Sequence, residues 1–450
     1  MLAVVGPSFI WCAEYIGSGE VILATRTGAV LGSAVLWAVV FGIFLKYWIG
    51  LCGARYTVCT GEGMIDMIGR LPGPKHGALW IVVAAQCISA TLSIGSIASA
   101  AGVFLNSLIP VSPCFGGWMV TLLAFAVVWT GTFDLMKKVM SFFVLVIITG
   151  TVVIAVKVFP GLSAVLSGLL LRVPSVPEWA VEKAGVHANP WREILPLLGW
   201  AAGGFASQVW YTYWVLGAGY GAAAGRGYGK PADLHSLKTM SRAAAQNVLG
   251  WCRVMYLDAT VALFVGVIVT GSFLLAGSGV LGPAESAPQG PEVAVKLSTL
   301  FSSRWGSAGG FLFLLSGLIA LIGTQIGQMA GWPRLLADGF RICVPRFNRL
   351  RWKIQFRGFL LFFAAANMII VYTLGLRPVF LVKSGAVLDG LLLTPLQALW
   401  IAAGLYWVMP RLLSDEAADV LRPHWILAVG LLIAFLVFGY FCVFQIPFIL

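Results

Sequence analysis

Long apolar runs dominate this 450-residue chain, and their spacing sets the architecture. A helix needs about 20 mostly apolar residues to cross the hydrocarbon core of a bilayer, since each residue advances only about 1.5 Å. Runs of that kind, bounded by Gly, Pro or charge, predict helices at about 2–27, 30–53, 77–109, 115–132, 136–159, 194–218, 256–278, 309–330, 356–374, 379–409 and 424–447. That makes about eleven spans, of which the longest require tilt or interruption. The hydrophilic stretches between them, the longest near 160–193, 219–255 and 279–308, are connection-sized, so 1–450 reads as a single transmembrane domain. The chain opens apolar at Leu2 without a basic leader or a small-residue cleavage site, and the first span is therefore expected to be retained.

Composition agrees with the pattern. Apolar residues make up 60% of the chain and charged ones 10%, whereas soluble domains hold roughly 45–50% and about 25%. A mean hydropathy of +0.93 excludes a soluble globular enzyme, because so few charges cannot cover a water-facing surface. The net charge of +12 would suit nucleic acid, but its placement follows membrane topology, which disfavours that partner. With the N-terminus inside, most Lys and Arg fall in inner connections, including the run from Arg346 to Arg357 and also Arg334. The outer connections hold only Arg26, Arg172, Lys183, Arg192, Lys296, Arg304 and Arg377. The expected orientation in the cytoplasmic membrane is N-inside and C-outside. The cysteines form no C-x-x-C pair and the histidines lie in connections or at span ends, so no resident cofactor is expected.

Two spans read badly as continuous helices. The first carries Gly17-Ser18-Gly19-Glu20 in its middle and the sixth carries Gly203-Gly204-Phe205-Ala206-Ser207-Gln208. Unwound backbone at membrane depth survives only where it is buried in protein or lines a cavity. Interrupted spans at corresponding positions of two halves point to a secondary transporter with inverted repeats and a mid-membrane site. The predicted fold is thus an all-α polytopic membrane protein of the amino-acid/sodium symporter type, with a five-plus-five inverted repeat and broken helices 1 and 6. Repeat one covers about 2–159, repeat two about 194–409, and the helix at 424–447 is additional. Glu20 stands out, because an intramembrane carboxylate is costly and is by default a functional candidate.

At these residues the sequence resembles the NRAMP family of proton-coupled divalent metal-ion transporters. Gly6-Pro7 through Tyr15, then Gly17-Ser18-Gly19-Glu20, Gly28-Ala29 and Gly32, run without gaps against the family's first helix, whose motif is Asp-Pro-Gly-Asn. Gly323-Thr324-Gln325-Ile326-Gly327-Gln328 is similar to the family's Gly-Thr-Tyr-Ala-Gly-Gln in helix 8. Thr60-Gly61, Asp258 and Arg357 add weaker matches. The departures fall on the site the resemblance implies. Gly17 stands for the metal-binding Asp, Ser18 for Pro and Glu20 for the metal-binding Asn. On helix 6, Ala202 aligns with the family's Ala, Phe205 with its Met, Ala206 with Pro, Ser207 with His and Gln208 with Asn.

Losing a thioether removes a soft ligand, whereas carboxylate, amide and carbonyl oxygens suit Mg²⁺, Ca²⁺ and Mn²⁺. The substrate-binding set expected here is Gly17, Glu20, Ala202, Phe205 and Gln208, with Glu20 and Gln208 contributing metal-directed side chains. Glu14, Lys383, Asp389 and Arg357 are candidates for proton coupling or gating, although Ser384 competes with Lys383 for the helix 10 position. An ammonium beside a carboxylate would weaken divalent binding, so Lys383 could equally be a structural ion pair, a substitute coupling ion or part of a zwitterion site. Gln325 and Gln328 share a helix face and read as interhelical hydrogen-bonding groups, and Trp210, Tyr211, Tyr213 and Trp214 as core or cavity wall.

No enzyme constellation is present. Gly225-Arg226-Gly227-Tyr228-Gly229-Lys230 lacks phosphate-loop spacing, and neither a G-x-S-x-G elbow nor an H-E-x-x-H helix occurs. The resemblance implies secondary active transport of a divalent metal ion of the Mn, Fe or Mg class by alternating access, with protons as the coupling ion. The alternatives are a transporter of an amino acid or other zwitterion on the same fold, or a non-transporting membrane sensor.

Overall fold

A computed structural model describes residues 6–130, 133–287, 294–296, 298, 302, 306–375 and 377–448. Leu2, the end of the predicted helix 115–132, and Arg304 lie outside these residues. Among the described residues all regular structure is helical. Eight helical stretches among the described residues are long and apolar enough to cross a membrane, and a shorter apolar helix covers Pro113–Val128. The chain is a multi-pass membrane protein.

In chain order the helices are α1a (Pro7–Tyr15), α1b (Gly19–Ala24 and Thr25–Leu31), α2 (Leu36–Thr60), α3 (Gly77–Leu108), α4 (Pro113–Val128) and α5 (Phe133–Lys157). Then follow α6a (Trp191–Trp200), α6b (Phe205–Ala218), α7 (Arg242–Ala276), α8 (Ser307–Cys343) and α9 (Trp352–Leu374). The last are α10 (Pro378–Val387, continued through a wide turn at Leu388–Leu392 into Thr394–Ala403) and α11 (Trp425–Tyr440).

Both predicted breaks are present. α1a has 9 residues and α6a has 10, about half the length that spans a bilayer core. Each piece stops at membrane depth and must find partners for its end groups there. α1a packs against α5, α6b, α7 and α8, which places the first break at the centre of the molecule.

Several boundaries differ from the sequence expectation, always because a charged side chain continues a helix. α8 runs on to Cys343 instead of stopping near 330. Its Arg334 is not an inner-connection residue but is fully buried, with its guanidinium over the rings of Trp214, Tyr228 and Phe356. α2 extends past 53 and ends at Gly61, whose φ of 72° supplies the left-handed turn of a helix C-terminus. α7 starts at Arg242 instead of 256, capped by the Ser241 hydroxyl on the Ala244 amide. Asp258 therefore sits inside α7 rather than opening it. Its carboxylate accepts from the Gly6 and Ser8 amides and the Ser8 and Tyr211 hydroxyls, which ties down the start of α1a.

Candidate binding site at the two helix breaks

The break in α6 is built from a strained turn. Ala202 has φ 57° and Gly203 φ 74°, so a residue with a Cβ is held in a left-handed conformation that costs of order 1–2 kcal/mol. Gln208, one turn into α6b, donates from Nε2 to the Ala202 carbonyl at 2.8 Å and so spans the turn. Asp389, from the wide turn of α10, lies at the head of α6b. Its Oδ1 accepts from the Ala206 amide at 3.4 Å and from Gln86 Nε2 at 2.8 Å, a carboxylate placed on a helix N-terminus. This close approach requires Gly204, because a Cβ there would fall 1.8 Å from Asp389 Oδ2.

The break in α1 is closed mainly by its own chain and by α8. Glu20 turns back so that Oε2 accepts from the Gly17 amide at 2.8 Å. The Gly17 carbonyl accepts from the amides of Glu20 and Val21. Thr324 of α8 donates its hydroxyl to the Ile16 carbonyl at 3.1 Å, and a Cβ on Gly17 would meet that hydroxyl oxygen at 2.2 Å. The glycines around Thr324 thus serve close approach of α8 to α1a: a Cβ at Gly327 would lie 2.4 Å from Glu14 Cγ.

The two breaks face one another. Between them lies a cavity of about 10 Å³ lined by Glu14, Tyr15, Ser18, Gly19, Ile97, Trp200, Gly203, Thr324 and Gln328, a volume suited to about one water-sized occupant. Glu14 supplies the carboxylate of this lining. Its Oε2 accepts from Ser207 Oγ at 2.8 Å, and Ser207 Oγ accepts from Trp11 Nε1 at 3.0 Å. Gln328 donates to Ser93 Oγ at 3.2 Å while its own Oε1 has no hydrogen-bond partner among the described residues.

The expected ligand set is therefore not gathered on one point. Glu20 does not line the cavity, and its Oε1 makes no hydrogen bond among the described residues. Gln208 and the Ala202 carbonyl are bonded to each other, with Gln208 Oε1 left unbonded. Phe205 is buried and meets Trp400 edge-on, with its carbonyl taken by Gln397 Nε2 at 3.0 Å. Among the described residues no three His, Cys, Asp or Glu side chains cluster as a metal-ligating group. Any cation held here would rely on mixed carboxylate, amide and carbonyl oxygens.

Lys383 is not at the breaks. Its Nζ lies 2.7 Å from Glu193 Oε1, and Glu193 also accepts from Arg26 Nε and Nη2 at 3.2 Å each. This triad lies in the wall of a second cavity, about 540 Å³, which also includes His187, Arg192 and Ser384. Arg357 is half-buried at the start of α9 with its guanidinium 4.4 Å from the Trp129 ring centroid. The opposite end of the bundle is sealed by buried ion pairs. Arg341 bridges Asp66 at 2.7 Å and Asp338 at 3.3 Å, and Arg70 meets Glu62 at 2.6 Å.

The sequence leaves one more ionisable residue, Lys46, inside a span without assigning it partners. Lys46 of α2 is fully buried, and its ammonium donates to the carbonyl oxygens of Gly199, in the last turn of α6a, and Gly203, within the α6 break. Its place inside an apolar span marks it as costly but does not give its partners, which lie 153 and 157 residues away in sequence.

Comparison with known proteins fits this picture. Residues 8–186 match the family described as natural resistance-associated macrophage protein-like. Divalent metal cation transporters MntH of Yersinia enterocolitica and Pectobacterium carotovorum are 33% and 32% identical over 81 residues. That is 18% of this chain, and it spans one fifth (20%) of the length of these relatives. A manganese transporter of Eremococcus coleocola, solved as a mutant with one histidine replaced by alanine, superimposes with a TM-score of 0.68 at 14% identity, covering 98% of this chain and 86% of the other. MhsT in complex with L-phenylalanine gives 0.55 at 14% identity, covering 95% and 97%. These structural likenesses are of fold. The all-α transporter fold was expected from the helix breaks; the NRAMP resemblance, expected over nearly the whole chain, is matched over residues 8–186.

Proposed function

We propose that this chain is a secondary transporter that carries a divalent metal ion of the Mn, Fe or Mg class across the cytoplasmic membrane by alternating access. The observation that carries this reading is the cavity of about 10 Å³ between the helix breaks, with the Glu14 carboxylate and the unbonded Gln328 amide oxygen at its edge. Its size suits a single ion, and its oxygens are those a hard cation takes. The names of the relatives over the N-terminal part support the same substrate class.

In this reading the repeats 2–159 and 194–409 move against one another around the breaks, with the helix at 424–447 outside both. With the N-terminus inside, the sealed end at Asp66–Arg341 faces the cytoplasm and the cavity at Arg26–Glu193–Lys383 faces outward. Glu14 and Glu20 are the carboxylates assigned to accompanying protons, and lipid and the metal ion are the partners.

The test is uptake of Mn²⁺ into proteoliposomes with an internal metal reporter and an internal pH dye. Saturable Mn²⁺ entry accompanied by acidification is the expected result. Absence of saturable entry for Mn²⁺, Fe²⁺ and Mg²⁺ alike overturns the substrate class, and entry without acidification overturns proton coupling.

A further inference from the structure

We propose that Lys46 is a tethered cation that competes with the transported ion for the carbonyl oxygens of the α6 break. The inference rests on the reading of the chain as a cation transporter and concerns how that site is controlled. Exposed main-chain carbonyls at a helix break in the membrane are the oxygens a hard cation would use. Here they are already occupied: the Lys46 ammonium donates to Gly199, in the last turn of α6a, and to Gly203, in the turn itself. Gly203 also lines the cavity between the breaks, so the ammonium and an ion in that cavity would address the same piece of backbone.

The surroundings of the ammonium resemble those of a bound ion. Glu20 of α1b and Asp389 of α10 are the acidic groups close enough to act on it, and the Phe438 ring of α11 lies 5.7 Å away on another side. Its hydrogen bonds nevertheless go to carbonyls. That is the coordination a cation receives at a broken helix, delivered by a side chain from α2 that has no exposed surface. A divalent ion cannot settle beside a fixed ammonium in low-dielectric surroundings, since the two charges repel at full strength there. Entry of the ion therefore requires the Lys46 ammonium to withdraw from the two carbonyls.

The experiment compares Mn²⁺ and Na⁺ binding to the purified full-length protein and to Lys46→Met by titration calorimetry. The expected result is Mn²⁺ affinity at least tenfold tighter in Lys46→Met. Equal or weaker binding in Lys46→Met overturns the proposal and leaves the transporter reading standing. A wild-type protein that binds no Mn²⁺, alongside a Lys46→Met variant that acquires Mn²⁺ or Na⁺ binding, supports the tethered cation and overturns the metal-ion substrate. If neither protein binds any cation, both fall. Should Lys46→Met not yield folded protein, Lys46→Gln takes its place, and equal or weaker Mn²⁺ binding there overturns the proposal.

Discussion

Ser207 donates its hydroxyl to the Glu14 carboxylate at 2.8 Å, and this bond joins the last turn of α1a to the first turn of α6b across the membrane centre. Each residue belongs to a different broken helix, so the contact couples the two breaks directly. Glu14 would lose a charge-assisted partner in Ser207→Ala, at a cost of about 1–3 kcal/mol. The expected outcome is a lower unfolding temperature in detergent together with a several-fold loss of Mn²⁺ uptake. An unchanged unfolding temperature would mean that the bond does not hold the breaks together.

Glu14 and Glu20 should respond differently to neutralisation. Glu14 lines the inter-break cavity, whereas Glu20 is turned onto the Gly17 amide and away from it. Glu14→Gln is therefore expected to weaken Mn²⁺ binding by tenfold or more. Glu20→Gln keeps an oxygen acceptor for the Gly17 amide and should retain binding within a few-fold. Calorimetric dissociation constants for the two variants measure the difference, and a larger loss in Glu20→Gln would reverse the assignment.

The sequence exposes the breaks but not their wiring. Glycine pairs inside apolar runs point to both interruptions; close packing of membrane helices uses glycine too, and it is the Glu20 carboxylate at that depth that tips the reading to a break. Which carboxylate faces the cavity depends on where the helix stops. α1a ends at Tyr15, and that single boundary directs Glu14 inward and leaves Glu20 to cap its own turn. The match to helix 10 puts Lys383 near the breaks, but its partner Glu193 lies just ahead of the predicted start of helix 6 and carries no periodic signal. Arg334 and Arg55 mislead the boundaries, because an Arg read as a span end can instead be buried among rings or main-chain carbonyls. Arg55 donates from Nη2 to the Leu421 carbonyl at 2.9 Å.

The Glu193 triad offers a stability test at the outer cavity. Arg26 and Glu193 are 4% and 3% exposed, and Lys383 is 25% exposed. Glu193→Gln leaves two cations without their shared carboxylate, which for a buried pair costs about 3–5 kcal/mol. Lys383→Met should be milder, since Arg26 still holds Glu193 through two bonds. Unfolding temperatures are thus expected to fall in the order wild type, Lys383→Met, Glu193→Gln. The extra positive charge in Glu193→Gln should also slow Mn²⁺ entry most at low ionic strength, as initial uptake rates at two salt concentrations would reveal.

Gly204 is the residue on which the head of α6b depends. A Cβ at this position would stand 1.8 Å from Asp389 Oδ2 and 2.6 Å from its carboxyl carbon. The carboxylate has little freedom to yield, because Gln86 Nε2 holds Oδ1 at 2.8 Å and Gln86 Oε1 in turn accepts from Trp332 Nε1 at 2.7 Å. Gly204→Ala must therefore displace Asp389 from the helix N-terminus, leaving the Ala206 amide unpaired and a carboxylate without its dipole partner. The control is Gly250→Ala in α7, where a Cβ meets nothing within 4 Å, and where Ala is better than Gly in a helix by up to about 1 kcal/mol. Gly204→Ala should lose Mn²⁺ uptake and unfold at a lower temperature, whereas Gly250→Ala should retain both properties. Adding Asp389→Ala to Gly204→Ala relieves the clash, so the double variant is expected to recover part of the stability but none of the transport. If the single variant transports normally, Asp389 is not anchored on Gly204 and the α6 break does not depend on that carboxylate.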